Sequence, residues 1–234
     1  MSRQATIVSI LVVGLLAGLG IYLYRTFRPA ATRSMDVRNW IAKGVSAPGA
    51  VIRAGERCGD APFGYPTNGL IGFLWGDSFR PGQKHQGLDI FGGENVGMTP
   101  VVAAYDGYLS RLPDWKSSVI LRVPNDPLQP GRQIWLYYTH MADQNGNSFI
   151  TAEFPPGTAE VFVKAGTLLG YQGNYSGDPN NPVGVHLHFS IVRDDGSGKF
   201  LNELKIANTI DPSPYFNMPL NADQNRDKIP VCEQ

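Results

Sequence analysis

Gly184-Val185-His186-Leu187-His188-Phe189 places two histidines two residues apart with a leucine between them. On an extended strand, residues i and i+2 share a face, so His186 and His188 project side by side while Leu187 turns into a core. Paired imidazoles on one rigid face suit a metal site, where one ring binds the ion while another moves protons. The stretch therefore predicts a strand and a site on it. The chain has 4 histidines in all, and the expectation is that His85, His140, His186 and His188 converge on one zinc ion.

Two further segments supply the rest. His85-Gln86-Gly87-Leu88-Asp89 sets an imidazole and a carboxylate four residues apart, both zinc donors by chemistry. An even spacing puts both on one face of a strand, and Gly87 with Gly92-Gly93 argues against a helix. Leu136-Tyr137-Tyr138-Thr139-His140-Met141 ends an aromatic strand on a histidine. Singly, the His-x-x-x-Asp pair is more often incidental, and His140 reads as a half-buried strand-end residue. Together they place every histidine of a histidine-poor chain in a context suited to one site.

The composition supports a β fold. Of 234 residues, 42% are hydrophobic and 17% charged, with 27 glycines and 18 prolines. That balance favours turn-rich β structure over helix. Short β-prone runs punctuated by turns cover 70–75, 88–91, 100–104, 119–123, 134–140, 159–163, 168–171 and 186–192, a spacing that suggests a sandwich or barrel-like sheet. Residues 124–127 and 143–147 read as surface turns. The overall charge is balanced, and nothing forms the basic patch of a nucleic-acid binder.

The amino terminus differs. Ala5 to Tyr24 is uncharged, with Thr6 and Ser9 as its clear polar members. As a helix it spans about 30 Å, the thickness of a bilayer core. Its length favours an uncleaved anchor over a signal peptide cut after Gly20 or Ala31, and Gly14 and Gly18 form only a weak G-x-x-x-G pair. The four positive charges of the first 34 residues, Arg3, Arg25, Arg28 and Arg33, meet no acid, and three of them come after the apolar stretch. Positive-inside bias alone keeps the C-terminal region in the cytoplasm. Cys58 and Cys232, near the two ends of the rest of the chain, read as a disulfide in an oxidising compartment and point the other way. The expected organisation is an anchor at 1–27, a linker and irregular lead-in at 28–68, a main domain at 69–216 and a tail at 217–234. A short amphipathic helix is expected over Met35 to Val45, with Val37, Trp40, Ile41 and Val45 on one side.

These motifs resemble, in order, those of the lysostaphin-type (LytM-like) zinc metallopeptidases: His85–Asp89, then Tyr138-Thr139-His140-Met141, then Gly184–Phe189. Met98–Gly107, Lys164–Gly173 and Ile210–Tyr215 also match, so the resemblance covers about residues 69–216. It implies an all-β fold, an antiparallel sandwich or barrel-like sheet (a duplicated hybrid motif) preceded by one transmembrane helix. It implies zinc held by His85, Asp89 and His188, with one coordination position left open for catalysis. It assigns His140 and His186 to the groove, where they act on the attacking water, the oxyanion and the leaving amine. The implied substrate is the peptide cross-link of bacterial peptidoglycan, met by an extracytoplasmic domain. The sequence departs from the family at Val185, where proline is common, and at 142–156, which reads as an insertion beside the groove.

Two other functions are weighed. Some relatives keep the fold and act as non-catalytic envelope scaffolds or activators, but those typically lose ligands. A lipoyl-like carrier hairpin around Ala165–Gly173 lacks a lysine at a turn tip and leaves the histidines unexplained. A latent enzyme, with the Asn68 side-chain oxygen filling the open zinc position, is set against an ordinary turn asparagine, which is the more common reading.

Overall fold

In the computed structural model, which describes residues 3–44, 46, 48–78 and 82–232, side-chain alternation sorts the strands into two faces. On β5 (Val119–Val123), Val119, Leu121 and Val123 enter the main core and Ile120 points away. On β6 (Ile134–Thr139), Ile134, Leu136 and Tyr138 enter it, while Trp135 and Tyr137 take the other face. On β9 (Leu187–Arg193), Leu187, Phe189 and Ile191 are in the core and Val192 joins the opposite cluster. The period of two thus assigns His188 to the face away from the main core.

The remaining strands are β1 (Leu70–Phe73), β2 (Leu88–Phe91), β3 (Pro100–Val102), β4 (Gly107–Ser110), β7 (Val161–Val163), β8 (Leu168–Tyr171) and β10 (Thr209–Ile210). The main sheet runs β1-β2-β9-β6-β5-β4-β7, with β10 beside the far half of β9, and β3 pairs with β8 separately. Every named pairing is antiparallel. Val101, Ala103 and Leu169, from the β3–β8 region, pack into the main core and make the second layer. The expected all-β, antiparallel, sandwich-like class is what the structure has.

Packing extends beyond residues 69–216. Ile52, Cys58, Phe63 and Tyr65 on one side, and Met218 and Leu220 on the other, belong to the same core. Cys58 and Cys232 are disulfide-bonded, 174 residues apart in sequence.

The linker expected from residue 28 is absent at its start. One helix, α1 (Arg3–Lys43), runs through it with Pro29 inside. Proline removes a helical hydrogen bond and tends to kink a helix, yet packing holds the segment beyond it. Val37 is buried against Leu70 and Ala50, with Trp40 and Phe91 alongside. Arg33 is wholly buried. Of the apolar side expected for a short helix there, Val37, Trp40 and Ile41 lie on α1, and Val45 falls outside the described residues. By contrast every described side chain from 7 to 25 is exposed, Leu15 at 74%. That apolar, uncovered stretch fits a membrane anchor by length and composition.

Candidate metal centre

The site sits where β2, β9 and β6 come level. Asp89 pairs with His188 across β2 and β9, and His188 pairs with Thr139 across β9 and β6. Leu88 and Ile90 enter the core, so Asp89 faces the same side as His188. Gly87 lets the strands approach: a Cβ there would stand 2.2 Å from the Phe189 carbonyl oxygen.

His85 and His186 lie just outside the strands expected to carry them. His85 precedes β2 in the β1–β2 connection, its N–H donating to the Asp77 carbonyl at 2.7 Å and its carbonyl accepting from Gly76 N–H at 2.8 Å. His186 is one residue before β9, bridged to Gly173. His140 comes directly after β6 with φ 72°, a left-handed conformation uncommon for a non-glycine residue. Such strain persists only where surrounding contacts enforce it. Here Gly173 packs beneath, and a Cβ on it would meet the His140 carbonyl oxygen at 2.6 Å.

The structure brings all five expected side chains into one groove of about 530 Å³. Three donor atoms converge. His85 Nε2 lies 3.0 Å from Asp89 Oδ1 and 3.1 Å from His188 Nδ1, and the last two are 2.8 Å apart. Ligands at the zinc bond lengths of about 2.0–2.1 Å on a tetrahedron stand about 3.3 Å apart, so the group needs little expansion to hold such an ion. His140 and His186 complete the wall, their ring centroids 4.6 Å apart.

Hydrogen bonds from behind set the tautomers. His85 Nδ1 donates to the Leu74 carbonyl at 3.0 Å, His140 Nδ1 to that of Tyr175 at 2.6 Å, and His186 Nδ1 to that of Gly184 at 2.6 Å. A carbonyl only accepts, so each Nδ1 carries a proton and each neutral ring keeps its lone pair on Nε2. For His85 and His186 that atom points at Asp89, at 3.0 and 3.5 Å. A carboxylate and several imidazole lone pairs therefore face one point with few protons between them. Such a cluster calls for a proton or a cation. The titration behaviour agrees. Burial disfavours charge on His85, yet the charge and hydrogen bond of Asp89 lift it above the ordinary histidine range. Burial likewise opposes ionisation of Asp89, but His85 and His186 hold it well below the usual carboxylate range. His140 is pushed down to about 3 by burial and then by His186 and His188, so it is neutral at pH 7.

The groove has walls that no sequence motif announced. Tyr175, Ser176, Gly177 and Val183 form one side, and Gln83, Gln86, Glu203 and Leu204 another. The stretch 142–156 lines none of it: Ile150 bridges Gly170 and Thr151 N–H donates to the Leu169 carbonyl, laying the segment over β8. Asn68 does not reach the site either. Its side-chain oxygen accepts the Ala54 N–H at 2.8 Å, as an ordinary turn asparagine does, which is the reading the sequence favours over a latent enzyme.

No protein-family model and no curated protein matches the chain. Solved structures do. Among those it resembles are M23 peptidase and LytM-type endopeptidase domains. A Pseudomonas aeruginosa structure assigned as a peptidase M23 is 19% identical, with TM-score 0.39, over 70% of this chain and 54% of that one. A Ruminococcus gnavus structure assigned as a glycyl-glycine endopeptidase lytM is 26% identical, with TM-score 0.36, over 56% and 45%. The catalytic domain of the prophage-encoded M23 protein EnpA of Enterococcus faecalis, as a point mutant, is 22% identical, with TM-score 0.39, over 62% and 95%. The chain thus spans about half the length of the first two. At these TM-scores the M23 likeness bears on neither site nor substrate.

Proposed function

We propose that this chain is a membrane-anchored zinc peptidase that hydrolyses peptide cross-links of bacterial peptidoglycan. The observation that carries the metal reading is the convergence of His85 Nε2, Asp89 Oδ1 and His188 Nδ1, with the His85 tautomer set from behind. Three protein ligands leave a position open, as in catalytic rather than structural zinc sites. Zinc bound there supplies Lewis acidity, polarising a peptide carbonyl and making water easier to deprotonate at neutral pH. The substrate rests on the order and content of the sequence motifs. The disulfide supports an exported domain, since such bonds persist in oxidising compartments.

The remaining chemistry falls to the chain's own side chains. His140 Nε2, on a ring held neutral, accepts a hydrogen bond and orients the attacking water. His186 Nε2 takes the proton, with the Asp89 carboxylate 3.5 Å away to balance it, and returns it to the leaving amine. Phe91 stacks on His186, centroids 5.1 Å apart and planes at 25°, and keeps that ring in place.

The test incubates the full-length, detergent-solubilised, zinc-loaded chain with isolated peptidoglycan and tracks released peptides by mass spectrometry. Wild type is expected to release cross-link fragments, and His186→Ala to keep its zinc and slow release by about 10²–10⁴-fold. Zinc bound without any release returns the chain to the scaffold reading. Release undiminished in His188→Ala ends the metal assignment.

A further inference from the structure

Arg33, on the part of α1 beyond the apolar stretch, is a charged side chain with no exposed surface. All three of its guanidinium nitrogens donate. Nη2 donates to both carboxylate oxygens of Asp77, Nε to the Gly72 carbonyl at 3.2 Å, and Nη1 to that of Asn225 at 3.2 Å. Asp77 is equally committed. Its side chain accepts the Leu74 N–H at 2.6 Å, and its own N–H donates to the Leu74 carbonyl at 3.1 Å.

That loop is what holds His85. The Leu74 carbonyl accepts His85 Nδ1–H, and the Asp77 carbonyl accepts the His85 backbone N–H. Both ends of the histidine, ring and main chain, hang on residues 74–77, and the shape of 74–77 is pinned by the Asp77 carboxylate under Arg33. From α1 to the ring there are only hydrogen bonds and one short turn. A second contact reinforces the arrangement: Val37 fills the space above Gly72, where a Cβ would stand 2.7 Å from Val37 Cγ2.

We propose that Arg33 is a positioning residue for the metal centre: through Asp77 it fixes the 74–77 turn that sets the tautomer and aim of His85, so the anchor helix is a working part of the metal site. This rests on the metal-centre reading above. Groups that orient a metal ligand from behind typically change affinity by about 10–100-fold when removed.

The experiment titrates zinc into the metal-free, full-length, detergent-solubilised chain against a chromogenic chelator, and records melting alongside. Arg33→Met is expected to weaken zinc binding about 10-fold or more, with Arg33→Lys recovering part of the loss by pairing with Asp77. Arg132→Met breaks a pair made to another buried carboxylate, Arg132–Asp126, at the opposite end of β6 from the site. It is expected to lower the melting temperature comparably and leave zinc affinity unchanged, which separates positioning from general destabilisation. If Arg33→Met does not fold, Asp77→Asn, which keeps an acceptor for Leu74 N–H and removes the charge pair, carries the same expectation. Zinc affinity within twofold of wild type in the folded variant, or an equal loss in Arg132→Met, overturns the proposal while the metal centre stands. Wild type that binds no zinc, or His188→Ala that binds like wild type, overturns both.

Discussion

Buried polar clusters flank β6 at both ends, and they are balanced in opposite ways. Before its first residue, Arg132 donates to Asp126 Oδ2 at 2.6 Å through Nε and to the Tyr215 hydroxyl at 2.9 Å, and that hydroxyl donates to Asp126 at 2.8 Å. The other carboxylate oxygen takes the Leu128 N–H at 2.8 Å. Both oxygens of the buried Asp126 carboxylate are met by protein donors, and the partly exposed Arg132 keeps its remaining N–H groups for solvent. After the last residue of β6, imidazole nitrogens crowd around Asp89, and the Nδ1 donors of His85, His140 and His186 are drawn off to main-chain carbonyls. A carboxylate paired on both oxygens marks a structural lock; a surplus of lone pairs is what the proposed cation would satisfy.

The widest separation between the two ends is expected from His188→Ala against Arg132→Met. The first should weaken zinc binding by more than the about 10–100-fold typical of losing a group that supports a ligand, with little change in the stability of the metal-free fold. The second should remove about 3–5 kcal/mol of stability by stranding the Asp126 charge, with zinc affinity intact. Calorimetry of both variants with and without zinc reads the difference directly, and matching responses would break the contrast.

Acidity gives a smaller, graded effect. His140 titrates near 3 when folded and near 6.5 when unfolded, so below 6.5 the unfolded chain binds the extra proton. Stability of the metal-free protein should therefore fall as pH drops from about 6.5 towards 3, by at most about 3–5 kcal/mol from this residue. His85 works in the other sense. Its raised value adds stability that is present below 6.5 and is lost as pH rises through its folded pKa. Chemical denaturation across that range should show a flatter acid limb in His140→Gln than in wild type; an unchanged limb counts against a buried neutral His140. The least effect belongs to Asn68→Ala, which removes one hydrogen bond to Ala54. It should cost about 1 kcal/mol and leave peptide release as in wild type.

Legibility tracked chemistry more closely than it tracked packing. β2, β5 and β8 begin and end where their apolar runs do, and the five residues that share the groove are legible because histidine and aspartate stand out by their chemistry. β4 escaped notice because Gly107-Tyr108-Leu109-Ser110 has no β-branched residue, and its pairing with β5 and β7 is a tertiary fact. The groove walls at 175–183 and 203–204 are polar loops with no periodic signal. Arg33 is where sequence and structure part. A cation just past an apolar helix looks like membrane flanking, and nothing local distinguishes it from Arg25 or Arg28. Only its partner 44 residues away shows that it is interior.

The unbroken passage of α1 through Pro29 also sets a working height. Between Tyr24, where the apolar stretch ends, and Arg33, seated in the domain, a helix rises only about 14 Å. With that stretch in a bilayer, the domain has no slack with which to roam. Its reach is confined to material lying against the membrane surface, and a more distant layer would have to come to it.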